Sequence, residues 1–393
     1  MPLALLALAL GAFAIGSTEF LTNGLLSSLS GEFDVTIAQA GMVSTAYALG
    51  QMCGPVLALA LLRLPTKRTL LILMAIFTVG NFLASLSPSF GFLLGSRFVT
   101  AWSHTAFFGV ASVAASGLVP AKKQGSAIAL VFTGLTLSML LGMPLGTLIG
   151  QAAGWRASFV VVTIISLISL VGLALLLPAD RSLEPVSYRN SLRPFTNPRL
   201  WVALSATAIG FGGLFASFTF IEPMLTQVSG FSSGQVIWLL GIYGAGLVVG
   251  NSLSGKAADR ALVRTTVVLL LLLATVLAVL AFGATHKTVV IPSLFLLGAC
   301  GFGLLTPLQT FVLRFARSDS PLVGTANTAA LGAGIMLGSL LGGFILDSSG
   351  SFTAINLAAS AMTVLGLVVY VVAASTSRQK PRTAHLVGHP AGD

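Results

Sequence analysis

The chain has 393 residues, of which 55% are hydrophobic and only 8% are charged, and its formal net charge is +10. A soluble globular protein contains about 25% charged residues, so this chain has too little polar surface to cover a soluble core of its size. The composition therefore excludes a soluble enzyme, a nucleic-acid-binding protein, a disordered chain and a secreted disulfide scaffold. It indicates a protein that crosses a membrane many times.

Twelve apolar segments, each long enough to cross a bilayer as a helix, follow one another along the chain. Their apolar runs are continuous rather than alternating, which excludes the strands of a membrane barrel and predicts an all-α membrane protein. The first segment lacks the basic region of a signal peptide and contains Glu19, so we interpret it as a retained span. The predicted spans are 3–28, 39–62, 69–87, 90–118, 125–150, 157–178, 199–227, 235–256, 265–284, 289–313, 321–346 and 352–374.

A polar stretch divides six spans from the other six. The predicted regions are a six-helix half at 1–178, a cytoplasmic linker at 179–198, a second six-helix half at 199–375 and a disordered cytoplasmic tail at 376–393. The two halves share a register at an offset of 196 residues, at which Tyr47 and Gly50 correspond to Tyr243 and Gly246. Two related, pseudo-symmetric halves predict a transporter with its site between them.

The basic residues fall on one side of the predicted membrane. With the N-terminus inside, 17 of the 20 Lys and Arg residues lie in cytoplasmic loops, against Arg156 and Lys287 outside and Arg97 within a span. Because basic residues concentrate in cytoplasmic loops, the count predicts that both termini are cytoplasmic. Topology then explains the net charge, and no nucleic-acid partner is expected.

Several short motifs keep their mutual order along the chain. They are Gly16-Ser-Thr-Glu-Phe20, Arg97 with His104-x-Ala-Phe-Phe108, Gly142-x-Pro144-x-Gly146, Gly154-Trp-Arg-x-x-Phe159 and Gly250-Asn-x-x-x-Gly255-x-x-x-Asp259-Arg260. Together they resemble the drug:proton antiporter branch of the major facilitator superfamily, which includes bacterial chloramphenicol, arabinose-type sugar and purine nucleoside exporters. The resemblance implies the twelve-helix major facilitator fold in a bacterial inner membrane.

The same resemblance implies a function. We expect export of a small drug-like compound, such as a chloramphenicol-type antibiotic, in exchange for protons by alternating access. Efflux of a natural metabolite, such as a sugar or a purine nucleoside, stays open as an alternative, and a membrane-embedded enzyme or a channel is a remote one.

Ionisable residues inside a membrane are costly and are therefore candidates for function. Glu19 and Arg97 lie at similar depths, within roughly 3 Å by helical rise, and His104 follows Arg97 on the same helix face. We predict that these three residues form a proton-coupling cluster in which Glu19 carries the proton. The alternative is a static Glu–Arg pair that holds the fold. Which of Glu19, His104 and Glu222 carries the proton stays open.

The helices that line the cavity in the superfamily are the first, fourth, seventh and tenth. Their side chains predict an apolar, aromatic substrate site with a few polar groups, which suits a small uncharged or amphipathic ligand. Glu222, near the outer end of the seventh span, is also a candidate for gating. Aromatic residues that face lipid or pack helices together are the alternative. The candidate substrate-binding residues are Phe13, Phe20, Asn23, Trp102, Phe107, Phe211, Phe215, Phe218, Glu222, Thr306 and Gln309.

Two motifs are candidates for gating. At the turn between the eighth and ninth spans, Asp259 could pair with arginines across helix ends and hold one conformation closed, as the resemblance implies; a solvated loop that sets topology is the alternative. Glycines four residues apart in the fifth span permit close helix approach, with tight packing alone as the alternative. The candidate gating residues are Arg68, Gly142, Pro144, Gly146, Gly255, Asp259, Arg260 and Arg264.

The sequence contains no Walker, HExxH or CxxC motif. ATP-driven transport and membrane-embedded enzyme chemistry are therefore not expected, and neither is a metal or a cofactor. The expected partners are a small-molecule substrate, protons and the lipid bilayer, and the protein is expected to act as a monomer.

Overall fold

The protein is built from long helices joined by short turns. A computed structural model describes residues 3–61, 63–178, 193–315 and 321–377, and these ranges contain no β-strand. Helices satisfy their own backbone polar groups, which the apolar interior of a membrane requires. The helices long and apolar enough to span a membrane are α1 (Leu3–Gly24), α2 (Ile37–Ala60), α3 (Thr66–Ser85), α4 (Phe90–Gly117), α5 (Gln124–Ala153), α6 (Trp155–Leu176), α7 (Pro198–Phe218), a continuous segment Ser233–Gly283, α10 (Lys287–Leu313), α11 (Leu322–Ser349) and α12 (Phe352–Ser375).

The continuous segment Ser233–Gly283 is two spans. Its 51 residues would extend about 76 Å as one helix, more than twice the thickness of a hydrocarbon core. The backbone leaves the helical conformation at Ala261, with φ −152° and ψ 69°, which separates α8 (233–260) from α9 (262–283). The predicted number of twelve spans is thereby confirmed, and an even number of crossings places the two ends of the described chain on one side of the bundle.

The seventh span is shorter than predicted. We predicted a helix over 199–227, but α7 ends at Phe218 and the chain continues as short helical turns over Ile221–Pro223 and Met224–Val228. Pro223 has no N–H to donate to the carbonyl one turn earlier, which weakens a regular helix at this point. Most of the predicted linker and tail, namely 179–192 and 378–393, lies outside the described residues.

The two halves use glycine in the same way. Gly50 on α2 packs so closely against α4 that a Cβ atom would collide with the carbonyl oxygen of Phe98. Gly246 on α8, its counterpart at the offset of 196 residues, meets the carbonyl oxygen of Phe295 on α10 in the same manner. Small residues allow membrane helices to approach closely, so the repeated sequence positions serve the same packing contact in each half.

The two halves touch on the side opposite the termini, which we call the far side. Gly244 of α8 packs against the backbone of Met139 in α5, and Gln151 donates a hydrogen bond to the carbonyl of Ser233 at 3.2 Å. On the side of the termini a cleft separates α2 of the first half from α7 and α11 of the second. The conformation is therefore closed on the far side and open at the side of the termini.

Candidate functional site

A chain of buried polar side chains connects α1, α2 and α4. The amide Nε2 of Gln51 donates to Oε1 of Glu19 at 3.3 Å and lies 3.4 Å from Nε2 of His104. The hydroxyl of Tyr47 lies 3.0 Å from Nδ1 of His104. Tyr47 and Gln51 are four residues apart, so they project from the same face of α2. Each of the four side chains is buried. We call these residues, together with Arg97, the polar cluster.

Arg97 is fully buried beside this chain. Its guanidinium donates to both the side-chain hydroxyl and the carbonyl oxygen of Thr18, each at 2.9 Å. It also lies over the ring of Tyr47, 4.2 Å from the centroid, where the negative face of the ring attracts a cation. Asn81 of α3 fixes the Thr18 hydroxyl by accepting its hydrogen bond at 2.7 Å.

Glu19 and Arg97 share the cluster but their charged groups are not paired. Among the described residues, the ion pair within 4.0 Å is Arg156 with Glu32, and it is half exposed. The neutral oxygens of Thr18 and the ring of Tyr47 hold the guanidinium instead. The geometry thus leaves the Glu19 carboxylate with one amide donor and no ion-pair partner in the described part of the chain.

Sequence reasoning missed Gln51 and the role of Tyr47 in this cluster. Tyr47 was informative only as one of the positions repeated at an offset of 196 residues. The signal that was available is the pair itself, because Gln51 is a polar residue in an apolar span and lies one turn from a tyrosine.

The predicted aromatic wall closes the far side in this conformation. Phe20 of α1 packs against Phe215 and Phe302, with ring centroids 6.1 and 5.6 Å apart, and Phe218 stacks on Tyr243 at 4.2 Å. Sequence reasoning did not include Phe302 and Tyr243 among the candidate substrate-binding residues. We call the six buried rings the aromatic layer; its members are Phe20, Phe211, Phe215, Phe218, Tyr243 and Phe302.

The remaining predicted aromatic residues lie apart from this layer. Phe107 is fully buried within the first half, near Gly11, so it packs helices together. Trp102 stacks on Phe98 of its own helix at 6.3 Å. Phe13 is half-buried on α1. None of the three contributes a described ring contact to the aromatic layer.

Glu222 joins the two halves on the far side. One carboxylate oxygen accepts hydrogen bonds from the backbone N–H of Ser27 at 3.1 Å and from its hydroxyl at 2.7 Å. Ser27 lies in the first turn of the short helix Leu26–Phe33, where unpaired backbone N–H groups favour a negative charge. Asn23 stays within the first half, because its side chain accepts a hydrogen bond from Ser44 at 2.7 Å.

Thr306 and Gln309 of α10 contact neighbouring helices of the second half. Thr306 donates to the side chain of Asn251 in α8 at 3.1 Å. Gln309 accepts from Asn327 of α11 at 2.6 Å, and Asn327 in turn accepts from Thr207 of α7 at 2.9 Å.

The motif at the turn between α8 and α9 is exposed. Asp259, Arg260 and Arg264 all lie at the surface, as does Arg68 in the first half. Asp259 forms no ion pair with any residue that the structure describes. Gly255 has room for a Cβ atom, whose nearest neighbour would be Cγ2 of Thr306 at 3.9 Å. In this conformation the motif forms no hydrogen bond or ion pair between the halves within the described ranges.

The glycine motif of α5 packs against α1. Gly142 lies directly against Ser17, and Gly146 against Leu21, so side chains larger than hydrogen would separate the two helices. Pro144 follows a wider, π-helical turn over Ser138–Gly142, which accommodates the carbonyl that the proline leaves without a donor. The motif therefore sets how close α5 comes to a helix that carries Glu19.

The twelve-span helical fold agrees with comparisons to known proteins. The family model described as Major Facilitator Superfamily matches residues 8–329. The chain belongs to the major facilitator superfamily. Members of this superfamily are transporters, so the protein is a multi-pass membrane transporter of a small molecule and not an enzyme.

Individual members of the superfamily resemble the chain over almost its whole length. The inner membrane transport protein YdhP of Escherichia coli (strain K12) is 36% identical over 380 residues, which cover 96% of this chain and 97% of that protein. The chloramphenicol resistance protein of Streptomyces lividans is 33% identical and covers 87% and 88%. A crystal structure of a bacterial homolog of the human lysosomal transporter Spinster, inward-facing and unoccupied, shares the fold with a TM-score of 0.72 at 18% identity, covering 95% and 96%.

Proposed function

We propose that this member of the major facilitator superfamily exports a small drug-like compound across a bacterial inner membrane in exchange for protons, by alternating access. The observation that carries the proposal is the buried carboxylate of Glu19, which has an amide partner and no ion pair among the described residues. A buried carboxylate without a fixed cation can gain and lose a proton, and one that is locked in an ion pair cannot do so readily.

Comparison of the two halves supports a different role for each in transport. At the offset of 196 residues, Glu19 corresponds to Phe215, Gln51 to Leu247 and His104 to Cys300. The second half thus places apolar or weakly polar side chains where the first half has its polar cluster. We infer that proton chemistry belongs to the first half and that the second half supplies the apolar contacts to the substrate.

Gln51 offers a route from protonation to movement. An ionised Glu19 accepts an N–H from Gln51, whereas a protonated Glu19 has an O–H to donate. The amide oxygen of Gln51 is buried and has no hydrogen-bond partner among the described residues, so it is the acceptor at hand. Protonation of Glu19 would then turn the amide over and change the hydrogen bonding on the face of α2 that meets α11.

The orientation in the membrane is part of the proposal. Basic residues concentrate in cytoplasmic loops, and on this chain they concentrate on the side of the termini. With that side in the cytoplasm, the described conformation is open to the cytoplasm, and the Glu222–Ser27 contact and the aromatic layer close the path to the outside. Relatives named inner membrane transport proteins support the same membrane.

Drug-like substrates are favoured over natural metabolites by the chemistry of the walls. The cleft between the halves and the aromatic layer are almost wholly apolar, and the name of one relative is chloramphenicol resistance protein. The amides of Gln309 and Asn327 favour the metabolite alternative, since hydroxyl-rich sugars or nucleosides would need such groups.

A transport screen in proteoliposomes tests the proposal. Purified protein is reconstituted, a pH gradient is imposed, and uptake of radiolabelled chloramphenicol, arabinose and inosine is measured with and without a protonophore. We expect concentrative uptake of the antibiotic only while the gradient lasts. Concentrative uptake of the sugar or the nucleoside instead would establish the metabolite alternative, and uptake that is insensitive to the protonophore would exclude proton exchange.

A further inference from the structure

The break at the end of α7 turns one phenylalanine toward the first half. α7 ends at Phe218, and the chain passes through Thr219 and Phe220 before the short helix Ile221–Pro223 begins. Phe220 is only 1% exposed, although it is not a member of the aromatic layer. A large ring that is buried in a break between helices needs a space shaped to receive it, and glycines provide that space here.

Three glycines, one from the first half and two from the second, surround the ring. A Cβ atom placed on Gly41, in the first turns of α2, would lie 2.7 Å from both Cε1 and Cζ of Phe220. A Cβ atom on Gly342 of α11 would lie 2.8 Å from Cε2, and one on Gly343 would lie 3.5 Å from Cζ. Because non-bonded carbon atoms prefer a separation of about 3.5–4.0 Å, Gly41 and Gly342 leave the ring room that any larger residue would take. We call the three glycines the glycine socket.

The part of the socket that belongs to the second half is held in place. Gly342 lies directly against the carbonyl oxygen of Ala216 in α7, and small residues allow such close packing of membrane helices. The hydroxyl groups of Thr219, which precedes the ring, and Ser339 of α11 are 2.7 Å apart and share a hydrogen bond. The ring is therefore held by its own half on one side, and Gly41 is the member of the socket from which it parts when the halves separate.

The seam where α5 meets α8 is built the other way round. At the offset of 196 residues, Phe220 corresponds to Gly24 and Gly343 to Thr147. A Cβ atom on Gly24 would collide with the hydroxyl of Thr147 and would lie 3.1 Å from Cδ1 of Leu240 in α8. At that seam the side chains come from the facing helices and the glycine comes from the end of α1. Duplication of the halves alone therefore does not account for Phe220, whose ring is a feature of the seam between α2 and α11.

We propose that Phe220 is a gating residue: seated in the glycine socket, its ring holds the far ends of α2 and α11 together, and the far side opens when the ring leaves Gly41. The proposal rests on the alternating access of the proposed function and on no particular substrate. Glu222, two residues further along the chain, holds the helix Leu26–Phe33 by hydrogen bonds. The broken end of α7 thus closes the far side with one apolar contact and one polar contact, and the two can be tested separately.

Two spin labels across this seam report whether the far side is closed. Gly31, where a side chain meets no atom within 4 Å, lies on the helix Leu26–Phe33 of the first half, and Ser348 is exposed in the last turn of α11. Cysteines are introduced at both positions of the full-length protein after Cys53 and Cys300 are replaced by serine. Pulsed electron–electron double resonance on the purified protein then gives the distribution of distances between the labels, without substrate and without a pH gradient.

A double-mutant cycle tests the fit between the ring and Gly41. Gly41→Leu fills space that the ring occupies, and overpacking of this kind should raise the ratio of far-side-open to far-side-closed molecules roughly 5- to 150-fold. Phe220→Ala should also raise this ratio, because an apolar contact between the halves is lost. The two substitutions together should give a ratio closer to that of the parent than either alone, because the leucine occupies the space that the ring vacates. Gly234→Leu, at the exposed start of α8 where a side chain meets no atom within 4 Å, is the matched control and should leave the distances unchanged.

Either of two results would overturn the proposal. One is a folded Gly41→Leu protein whose distances match those of the parent, and the other is a shift by Gly41→Leu that is equally large in the presence of Phe220→Ala. If Gly41→Leu does not fold, Gly41→Ala places a single methyl group beside the ring and should shift the ratio in the same direction, and unchanged distances in that variant would overturn the proposal as well.

These results are separate from those of the transport screen. The expected distances without pH-driven uptake would contradict proton exchange and leave the gate in place. Uptake that is driven by the pH gradient, together with parental distances in Gly41→Leu, would contradict the gate and leave proton exchange in place.

Discussion

Loss of the Glu222–Ser27 contact should shift the conformational equilibrium by a factor that can be worked out from its hydrogen bonds. Both of its hydrogen bonds end on one carboxylate oxygen, and the carboxylate and Ser27 belong to opposite halves. Ser27→Ala removes the hydroxyl bond and keeps the backbone N–H. Because a hydrogen bond to a charged group contributes about 1.5–3 kcal/mol, the equilibrium should shift away from the far-side-closed conformation by a factor of roughly 10 to 150. Glu222→Ala removes both bonds and should shift it at least as far.

Spin labels at two exposed positions report this equilibrium. Gly31 lies on the short helix of the first half and Gly234 at the start of α8, and a side chain at either position meets no atom within 4 Å. Cysteines are introduced there for spin labelling after Cys53 and Cys300 are replaced by serine. Pulsed electron–electron double resonance then gives the distribution of distances between the two labels. The longer-distance population should grow in Ser27→Ala.

Ser28→Ala provides the matched control, since Ser28 is the exposed neighbour of Ser27 on the same helix. Its distance distribution should match that of the parent protein. Identical distributions in Ser27→Ala, Glu222→Ala and the control would refute the conclusion that Glu222 holds the far side closed.

Three further predictions concern the polar cluster, helix packing and the exposed motif. Tyr47→Phe keeps the ring beside Arg97 but removes the hydroxyl that meets His104. We therefore expect pH-driven uptake to fall several-fold while the melting temperature changes little. A melting temperature that falls together with uptake would mean that the hydroxyl stabilises the fold instead. Gly50→Ala should lower the melting temperature by several degrees, because the carbonyl of Phe98 occupies the space of the new methyl. The control Gly109→Ala, whose methyl meets nothing within 4 Å, should be neutral or stabilising by up to about 1 kcal/mol. Similar melting curves for the two variants would contradict the close packing at Gly50. Asp259→Asn should impair uptake without changing thermal stability, and unchanged uptake would return the motif to a role in topology alone.

The sequence predicted the spans and their duplication because both follow from apolar length and repeated glycines. A run of about 20 apolar residues has few alternatives to a membrane helix. Gly50 and Gly246 were visible as a repeat, and the structure gives each the same backbone contact. The end of α7 was misplaced because hydropathy does not register the break that Pro223 imposes.

The site was only partly predictable. Helical rise placed Glu19 and Arg97 at one depth, and they do share a cluster, but the partner of the guanidinium is Thr18. Which acceptor binds the guanidinium depends on side-chain rotamers and on how α2 packs against α1 and α4. Neither can be predicted from the spacing of residues in the sequence. The contacts within the aromatic layer depend on how the two halves meet in this conformation, and the sequence does not show which conformation is adopted.

The proposal that Glu19 carries the exchanged proton predicts a difference between two carboxylate variants in proteoliposomes. Glu19→Gln mimics the protonated state permanently, and Glu32→Gln removes a carboxylate that is half exposed and paired with Arg156. Uptake of substrate is measured with and without an imposed pH gradient, and exchange of labelled for unlabelled substrate is measured without one. We predict that Glu19→Gln loses accumulation against the gradient but retains exchange, while Glu32→Gln accumulates substrate like wild type. Accumulation by Glu19→Gln at the wild-type level would show that Glu19 does not carry the exchanged proton.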